Sequence, residues 1–406
     1  MQKERRFNFL LFACVLLWTM MMGSKNVYTA ELVEICGIFN VDKADASLAM
    51  TYYFVVYSFA QIALFFFMEN LNPKWFLSVS IFLSGGVTIV IAFATKMYQL
   101  WWILALNGLL QAGVWGMCIA VLKKFLPPRR MPFANTIMNV GTSVAAVISY
   151  SSSAISVALG SWNMAFIILG ALLSISAIIF FFAVHLCEKA KSENNEAGIK
   201  EEIYDDNPPI ALHNGLHKAL FFIITFVFSF IIHFPFYGVL NWLPNFLTEN
   251  FQMENSAAIL ISVFAPLATV ISPIIAIRHC EKAKSCFTVC LLYLIISSVL
   301  CLILTLIYNL NVVLSLSIVV LLVVAIQASV TIVFSVLPIK MGKYINSGAH
   351  ASLMNSAGGF AAGFAPTIIG ALLTSVGWQI SYAVTFGILI ATTLSVLLIV
   401  ALVKKR

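Results

Sequence analysis

Charge is scarce in this sequence. Asp, Glu, Lys and Arg make up only 10% of its 406 residues, against 61% hydrophobic residues and a mean hydropathy of +0.99. A water-exposed globular surface cannot be built from that composition. No Asp or Glu falls in the middle of a long apolar run: Glu31 and Glu34 stand beyond the end of the first run, Glu69 closes the second, and the others lie in connecting segments. Carboxylate relays through the bilayer centre and cation-drug binding therefore have no carrier. There is no Gly-x-x-x-x-Gly-Lys-Ser/Thr loop, so primary pumping is unsupported. No spacing suggests a nucleophile with its base, so no enzyme activity and no cofactor are expected. The eight cysteines are scattered without paired short spacings, and the group His279, Cys280 and Cys286 has no second ligand pair, so no metal is expected either.

Long apolar runs, by contrast, are plentiful. A bilayer core ~30 Å thick needs ~20 apolar residues per helix. Twelve runs of that size are bounded by charge, Pro, Gly or Asn: 7–29, 46–68, 74–95, 98–124, 131–159, 163–187, 219–247, 255–277, 285–308, 311–339, 345–375 and 379–403. The basic start Met1–Arg6 leads into the first run without a small-residue cleavage site, so that run is expected to stay as a helix. With twelve spans both ends of the chain share one side, and the loops on that side hold 20 of the 23 Lys and Arg residues. The positive-inside rule then places both termini in the cytoplasm of an inner- or plasma-membrane protein. The formal charge of +7 is thus a topology signal, and no nucleic-acid partner is expected. The predicted fold is an all-α membrane protein of two pseudo-symmetric six-helix bundles, 1–187 and 219–406, joined by a hydrophilic cytoplasmic linker, 188–218. Lipid is its surroundings, and a monomer is expected.

The halves are related to each other. An offset of 216 carries Met138-Asn139 onto Met354-Asn355, Ala145-Ala146 onto Ala361-Ala362 and Trp162 onto Trp378; an offset of 212 carries Phe39 onto Phe251 and Asp42 onto Glu254. Spans five and eleven also carry small-residue faces, Gly141 to Ser149 and Gly358 to Gly363, which suit either tight packing or a moving interface.

Two six-helix halves with a cytoplasmic linker resemble the major facilitator superfamily. Three stretches are similar to its organophosphate:phosphate antiporter branch: Arg5-Arg6 followed in the same run by Lys25-Asn26; Asn72-Pro73-Lys74-Trp75-Phe76-Leu77; and Tyr237-Gly238-Val239-Leu240-Asn241-Trp242-Leu243-Pro244. The resemblance implies a secondary transporter. It also implies two phosphate-clamping arginines, yet Ser24 and Phe236 stand at those positions, and Gly141 replaces the branch's cavity histidine. Without guanidinium forks, phosphate-ester exchange loses its usual basis.

An ionisable residue within a span is a functional candidate because burying its charge is costly. Lys25 lies 19 residues after Arg6, about 28 Å along a helix. That depth allows either a cavity cation or a lysine snorkelling outward, and the branch's matching lysine favours the cavity. His233 aligns with a cavity tyrosine of the branch. The expected substrate-binding set is Lys25, Asn26, Trp115, Asn139, His233, Phe236, Tyr237 and Asn355, with Asn139 and Asn355 facing each other across the pseudo-two-fold axis. Other span amides, Asn107, Gln111, Asn135 and Gln327, either join helices or line a wet cavity. Glu69, Arg130, Glu281 and Lys343 are expected to form cytoplasmic gating pairs that favour an outward-facing state. The function expected is alternating-access transport, secondary active or facilitative, of a small organic solute, an anion by the charge of its cavity. The alternatives are an exporter of amphipathic compounds and a transporter-like solute sensor.

Overall fold

A computed structural model describes residues 2–67, 71–196, 215–333 and 347–404. The described residues contain helices and no strand, as lipid requires of a backbone that must satisfy its own hydrogen bonds. Pass one is α1 (Gln2–Ala30), followed by the short α2 (Leu32–Phe39). Passes two and three are α3 (Lys43–Phe67) and α4 (Pro73–Ile91). Pass four is broken into α5 (Met97–Gln111) and α6 (Val114–Phe125); α7 (Met131–Ala158) and α8 (Met164–Glu196) complete the first half. The second half begins with α9 (Gly215–Asn241) and the short α10 (Leu243–Phe251). Pass eight is divided among α11 (Asn255–Ser262), α12 (Phe264–Ala268) and α13 (Ile271–Lys282), and α14 (Cys286–Ile307) and α15 (Val312–Thr331) follow.

The last element, α16 (Ser347–Lys404), holds two passes. Its apolar stretch Leu353–Leu397 is 45 residues long, roughly 68 Å as one rod, over twice the bilayer core. Gly377 breaks it with φ 79 and ψ −177, a conformation that favours glycine. Ile369 and Leu373 line one small pocket with Ser381, Tyr382 and Thr385, so the chain doubles back at Gly377. Among the described residues, eleven apolar helical stretches thus make twelve passes.

Differences from the expected spans are local. Span seven is expected to reach 247, but the helix stops at Asn241 and a new one, α10, starts at Leu243 with Pro244 in its first turn, where the missing N–H costs nothing. Helix α8 also continues to Glu196 and α9 starts at Gly215, so both enter the stretch read as linker. The Asn72-Pro73-Lys74 motif has a structural role. Asn72 caps α4 by accepting from the Lys74 amide at 3.0 Å, and the Lys74 ammonium reaches Glu188 of α8 at 2.7 Å.

The internal repeat is visible in the backbone. Helices α2 and α10 follow the first pass of each half, and each ends on a left-handed non-glycine residue, Asn40 (φ 49) and Gln252 (φ 52). These are 212 positions apart, the offset that relates Phe39 to Phe251.

Each half has its own apolar core, one around Leu17, Met117 and Phe180, the other around Phe246, Leu294 and Leu322. Mixed clusters join the halves at the end remote from the termini, the distal end: Tyr53 and Phe54 share one with Ala361 and Ala365, and Tyr150 and Ala154 share another with Ile259 and Val263. Along a single stripe of α7, Asn139 is exposed, Ser143 and Val147 are half-buried, and Tyr150 and Ala154 are buried. The halves therefore close at the distal end and diverge toward the termini.

Within the first half, α4 and α8 cross where glycine is required. A Cβ on Gly170 would lie 2.6 Å from the Gly85 carbonyl oxygen and 3.0 Å from the Ile89 amide, whereas one on Gly86 would meet nothing within 4 Å. Gly170→Val is expected to destabilise the purified protein by ~1–3 kcal/mol or more, seen as a lower melting temperature. Gly86→Ala should leave it unchanged or raise it.

Candidate functional site

The candidate site is assembled where α1 and α3 of the first half meet α9 and α16 of the second. Helical side chains lean toward their own N-terminus, and Lys25 follows that rule. Its ammonium contacts Met22 Sδ at 3.2 Å, one turn back, and sits 5.1 Å from the Phe54 ring centroid. It thus points from near the distal end toward the middle of the bundle, and not outward as a snorkelling lysine would. Phe54 itself lies near the middle of α3. Among the described residues Lys25 has no ion-pair partner; a methionine sulfur and a ring face are what it touches.

The second half supplies the facing wall. The Tyr237 ring is 6.3 Å from Phe54 and stacks, also at 6.3 Å, on His233. His233 Nδ1 is 2.6 Å from the Ser229 carbonyl oxygen, to which it can only donate. In the neutral ring this leaves Nε2 as an acceptor. Nε2 lies against Gly358 of α16, where a Cβ would come within 3.1 Å. Any larger residue at Gly358 would crowd the imidazole. One turn from Phe54, the Tyr57 side chain lies beside Asn355 of the other half, and its hydroxyl accepts from Gln61 Nε2 at 3.2 Å. Lys25, Phe54, Tyr57, His233, Tyr237 and Asn355 therefore form one continuous aromatic and polar cluster with a single cation.

The other expected residues are placed differently. Asn26 is half-buried beside Lys25 on α1. Trp115 packs at 4.7 Å on Trp18, whose indole donates to Thr142 at 2.9 Å, so this pair lies lower on α1. Asn139 is exposed and donates to the Asn135 carbonyl of its own helix at 2.8 Å; it has no described bond to Asn355. Phe236 is buried in the second half's core with Ile232, Val239 and Leu243. Asn107 and Gln111 join helices: Gln111 accepts from Tyr53 and donates to Ser84 and Ser24, while Asn107 accepts from Ser84 and donates to Thr88. Sequence reasoning gave Phe54 and Tyr57 no role in the site. Their spacing of three on α3 places both on one helical face, but without knowing that α3 faces α9 and α16 that pattern reads as core.

Above the cluster, the distal end is latched. Lys43 pairs with Glu249 at 2.8 Å, and Glu249 also accepts from the Trp378 indole at 2.9 Å. Asn255 donates to Glu34 at 2.5 Å, and Thr51 donates to the Gly363 carbonyl at 2.7 Å. The Lys43–Glu249 pair is partly exposed at both ends, so it contributes ~0–1 kcal/mol. Glu249→Ala is expected to change the transport rate less than about fivefold, measured in reconstituted vesicles. Of the expected gating residues at the terminal end, Glu69 and Lys343 lie outside the described residues. Arg130 pairs within its own half, with Glu4 at 2.6 Å, and Glu281 is exposed without an ion-pair partner among the described residues.

The Major Facilitator Superfamily matches residues 9–346. The glycerol-3-phosphate transporter of Bacillus subtilis is 24% identical over 238 residues, 53% of this chain and 52% of that protein. The glucose-6-phosphate exchanger of Danio rerio is 26% identical over 147 residues, 35% of this chain and 29% of that protein. The chain thus spans about half or less of the length of these curated relatives. Among solved structures, a bacterial homolog of the human lysosomal transporter Spinster, in an inward-facing and occupied conformation, is similar with a TM-score of 0.73 and 14% identity over 96% of each chain. Both relatives agree with the resemblance carried by the three sequence motifs. The chain belongs to the Major Facilitator Superfamily, and its described residues form the multi-pass bundle of apolar helices that membership requires.

Proposed function

We propose that this protein moves a small organic anion by alternating access, with both termini in the cytoplasm and the structure representing its inward-facing state. The observation that carries the reading is Lys25: a cation directed into the seam between the halves, with no carboxylate among the described residues to neutralise it. Desolvating an unpaired ammonium is costly, and an anionic ligand supplies the missing charge. Tyr57, Tyr237 and Asn355 offer hydroxyl and amide donors around it, and Phe54 offers a stacking face. The substrate-binding set then keeps Lys25, His233, Tyr237 and Asn355, with Asn26 beside them, and gains Tyr57.

The two relatives are named for phosphorylated sugars and glycerol, which supports an anion. The chemistry of the site favours a singly charged head over a phosphate monoester. Ser24 donates to the Met21 carbonyl and accepts from Gln111, and Phe236 is buried in the core, so the positions matching the branch's arginines offer no cation. One ammonium recognises a carboxylate as a point charge but cannot grip phosphate bidentately. The rocking motion opens the distal seams between α3 and α16 and between α7 and α11 while the terminal end closes.

The test is a stability and flux screen of the wild-type protein. Organic carboxylates should raise its melting temperature, since a ligand that binds only the folded state stabilises by mass action, and the same compounds should exchange across vesicles containing it. Stabilisation by amphipathic cations alone would replace this reading with the exporter. Anion binding without flux would indicate a sensor.

A further inference from the structure

Glu31 lies just beyond α1, where the chain turns into α2, and its side chain is fully buried (0% exposed). One carboxyl oxygen accepts from the Ser153 hydroxyl of α7 at 2.7 Å; the other, Oε2, is buried with no hydrogen-bond partner among the described residues. A buried carboxylate oxygen left unpaired is strongly disfavoured, whereas a protonated carboxyl needs far less. Ser153 is also placed beside a contact between the halves. It follows Tyr150 and precedes Ala154, the two residues through which α7 is buried against Ile259 and Val263 of the second half. Opening that seam would bring water to Ser153 and Glu31.

The ionisable groups around Glu31 do not offer it a counter-charge. On α2, Glu34 is acidic and is occupied by Asn255 of α11. On α7, Tyr150 is buried and neutral at ordinary pH. On α1, Tyr28 donates to the Ala46 carbonyl. Helix α11 carries no ionisable residue; the nearest cation in sequence, Lys25 on α1, is turned back onto Met22 and Phe54, and the next, Lys43, is held by Glu249.

We infer that Glu31 is a proton-binding site that couples distal opening to pH: it is protonated while the distal seam is closed and ionises when the seam opens to water. Burial, with the Glu34 charge adding to it, raises the carboxyl from the usual range near 4.5 to about 8, and the Ser153 hydroxyl works in the other direction. The sign follows directly. Closing takes up a proton, so acid favours the closed state. The open-to-closed ratio rises about tenfold per pH unit between the two values and is flat above the higher one. This inference concerns the gate and does not depend on the substrate being an anion.

The experiment is pulsed electron paramagnetic resonance in nanodiscs, from pH 5 to 9. Spin labels at Ile38 and Leu310, exposed near the distal end of opposite halves, are carried in a cysteine-free background. For the wild-type glutamate the long-distance population should grow as pH rises and level off near 8. Glu31→Gln, a neutral isostere, should stay closed throughout. Ser153→Ala keeps the carboxyl and removes the hydroxyl that favours its charge, so its curve should level off at higher pH; it also serves should Glu31→Gln fail to fold. A flat wild-type profile, an unchanged slope in Glu31→Gln, or an unmoved curve in Ser153→Ala overturns the proposal.

Discussion

Replacing Lys25 with methionine is expected to weaken binding of an organic carboxylate by about 10- to 150-fold, because a hydrogen bond to a charged group contributes ~1.5–3 kcal/mol. The same substitution should raise the melting temperature of the ligand-free protein. These opposite signs are the signature of a ligand site. Among the described residues the ammonium meets Met22 Sδ and the Phe54 ring and no ion-pair partner, so its removal relieves an uncompensated charge and extends an apolar contact. Lys25→Arg keeps the charge but lengthens and flattens the head, and should retain part of the affinity. A structural lysine behaves differently: Lys25→Met would then lower stability and leave carboxylate binding intact, and the anion reading would fail. Thermal shifts with and without ligand, backed by titration calorimetry, measure both quantities in one protein preparation.

Much of the fold was legible because lipid imposes few solutions. Apolar run length, basic loops and the acidic linker suffice to lay out twelve passes, and the 212-residue offset anticipates the paired left-handed residues Asn40 and Gln252. What sequence could not resolve were breaks inside passes, where local backbone chemistry decides. The interruption at Trp242 before Pro244 and the division of pass eight into three helices are examples. The candidate site was half legible. Lys25, His233, Tyr237 and Asn355 stand out as polar or ionisable residues within spans, and they share one cluster. Phe54 and Tyr57 did not, because an aromatic residue in an apolar helix carries no signal of which neighbour it faces. Asn139 and Asn355 are placed differently from each other. Equivalent positions in a repeat need not meet, and in this state one bonds its own helix while the other lies beside Tyr57. Glu31 was dismissed by position, as a residue near the membrane boundary. Only packing reveals that its carboxyl is sealed against Ser153.

The glycines of α16 distinguish tight packing from a working interface. A Cβ on Gly363 would lie 3.0 Å from Phe54 Cβ and 3.3 Å from the Thr51 Cα, and the Gly363 carbonyl accepts the Thr51 hydroxyl at 2.7 Å. Two backbones that close belong to opposite halves, so the contact exists only while the distal end is shut. Gly363→Leu should therefore cost ~1–3 kcal/mol in the closed state and little in the open one, tilting the equilibrium toward distal opening by about 5- to 150-fold. The expected phenotype is a folded, monodisperse protein with transport reduced at least tenfold and a longer distance between distal spin labels at Ile38 and Leu310. Gly387→Leu on the same helical element, where a Cβ meets nothing within 4 Å, should match the wild type in both measurements. If Gly363→Leu instead aggregates or melts far below the wild type, the α3–α16 seam is part of the folding core, and the halves do not separate there during transport. If it folds and transports normally, the seam has slack that these distances exclude, and the rocking motion must be sought at the α7–α11 contact alone.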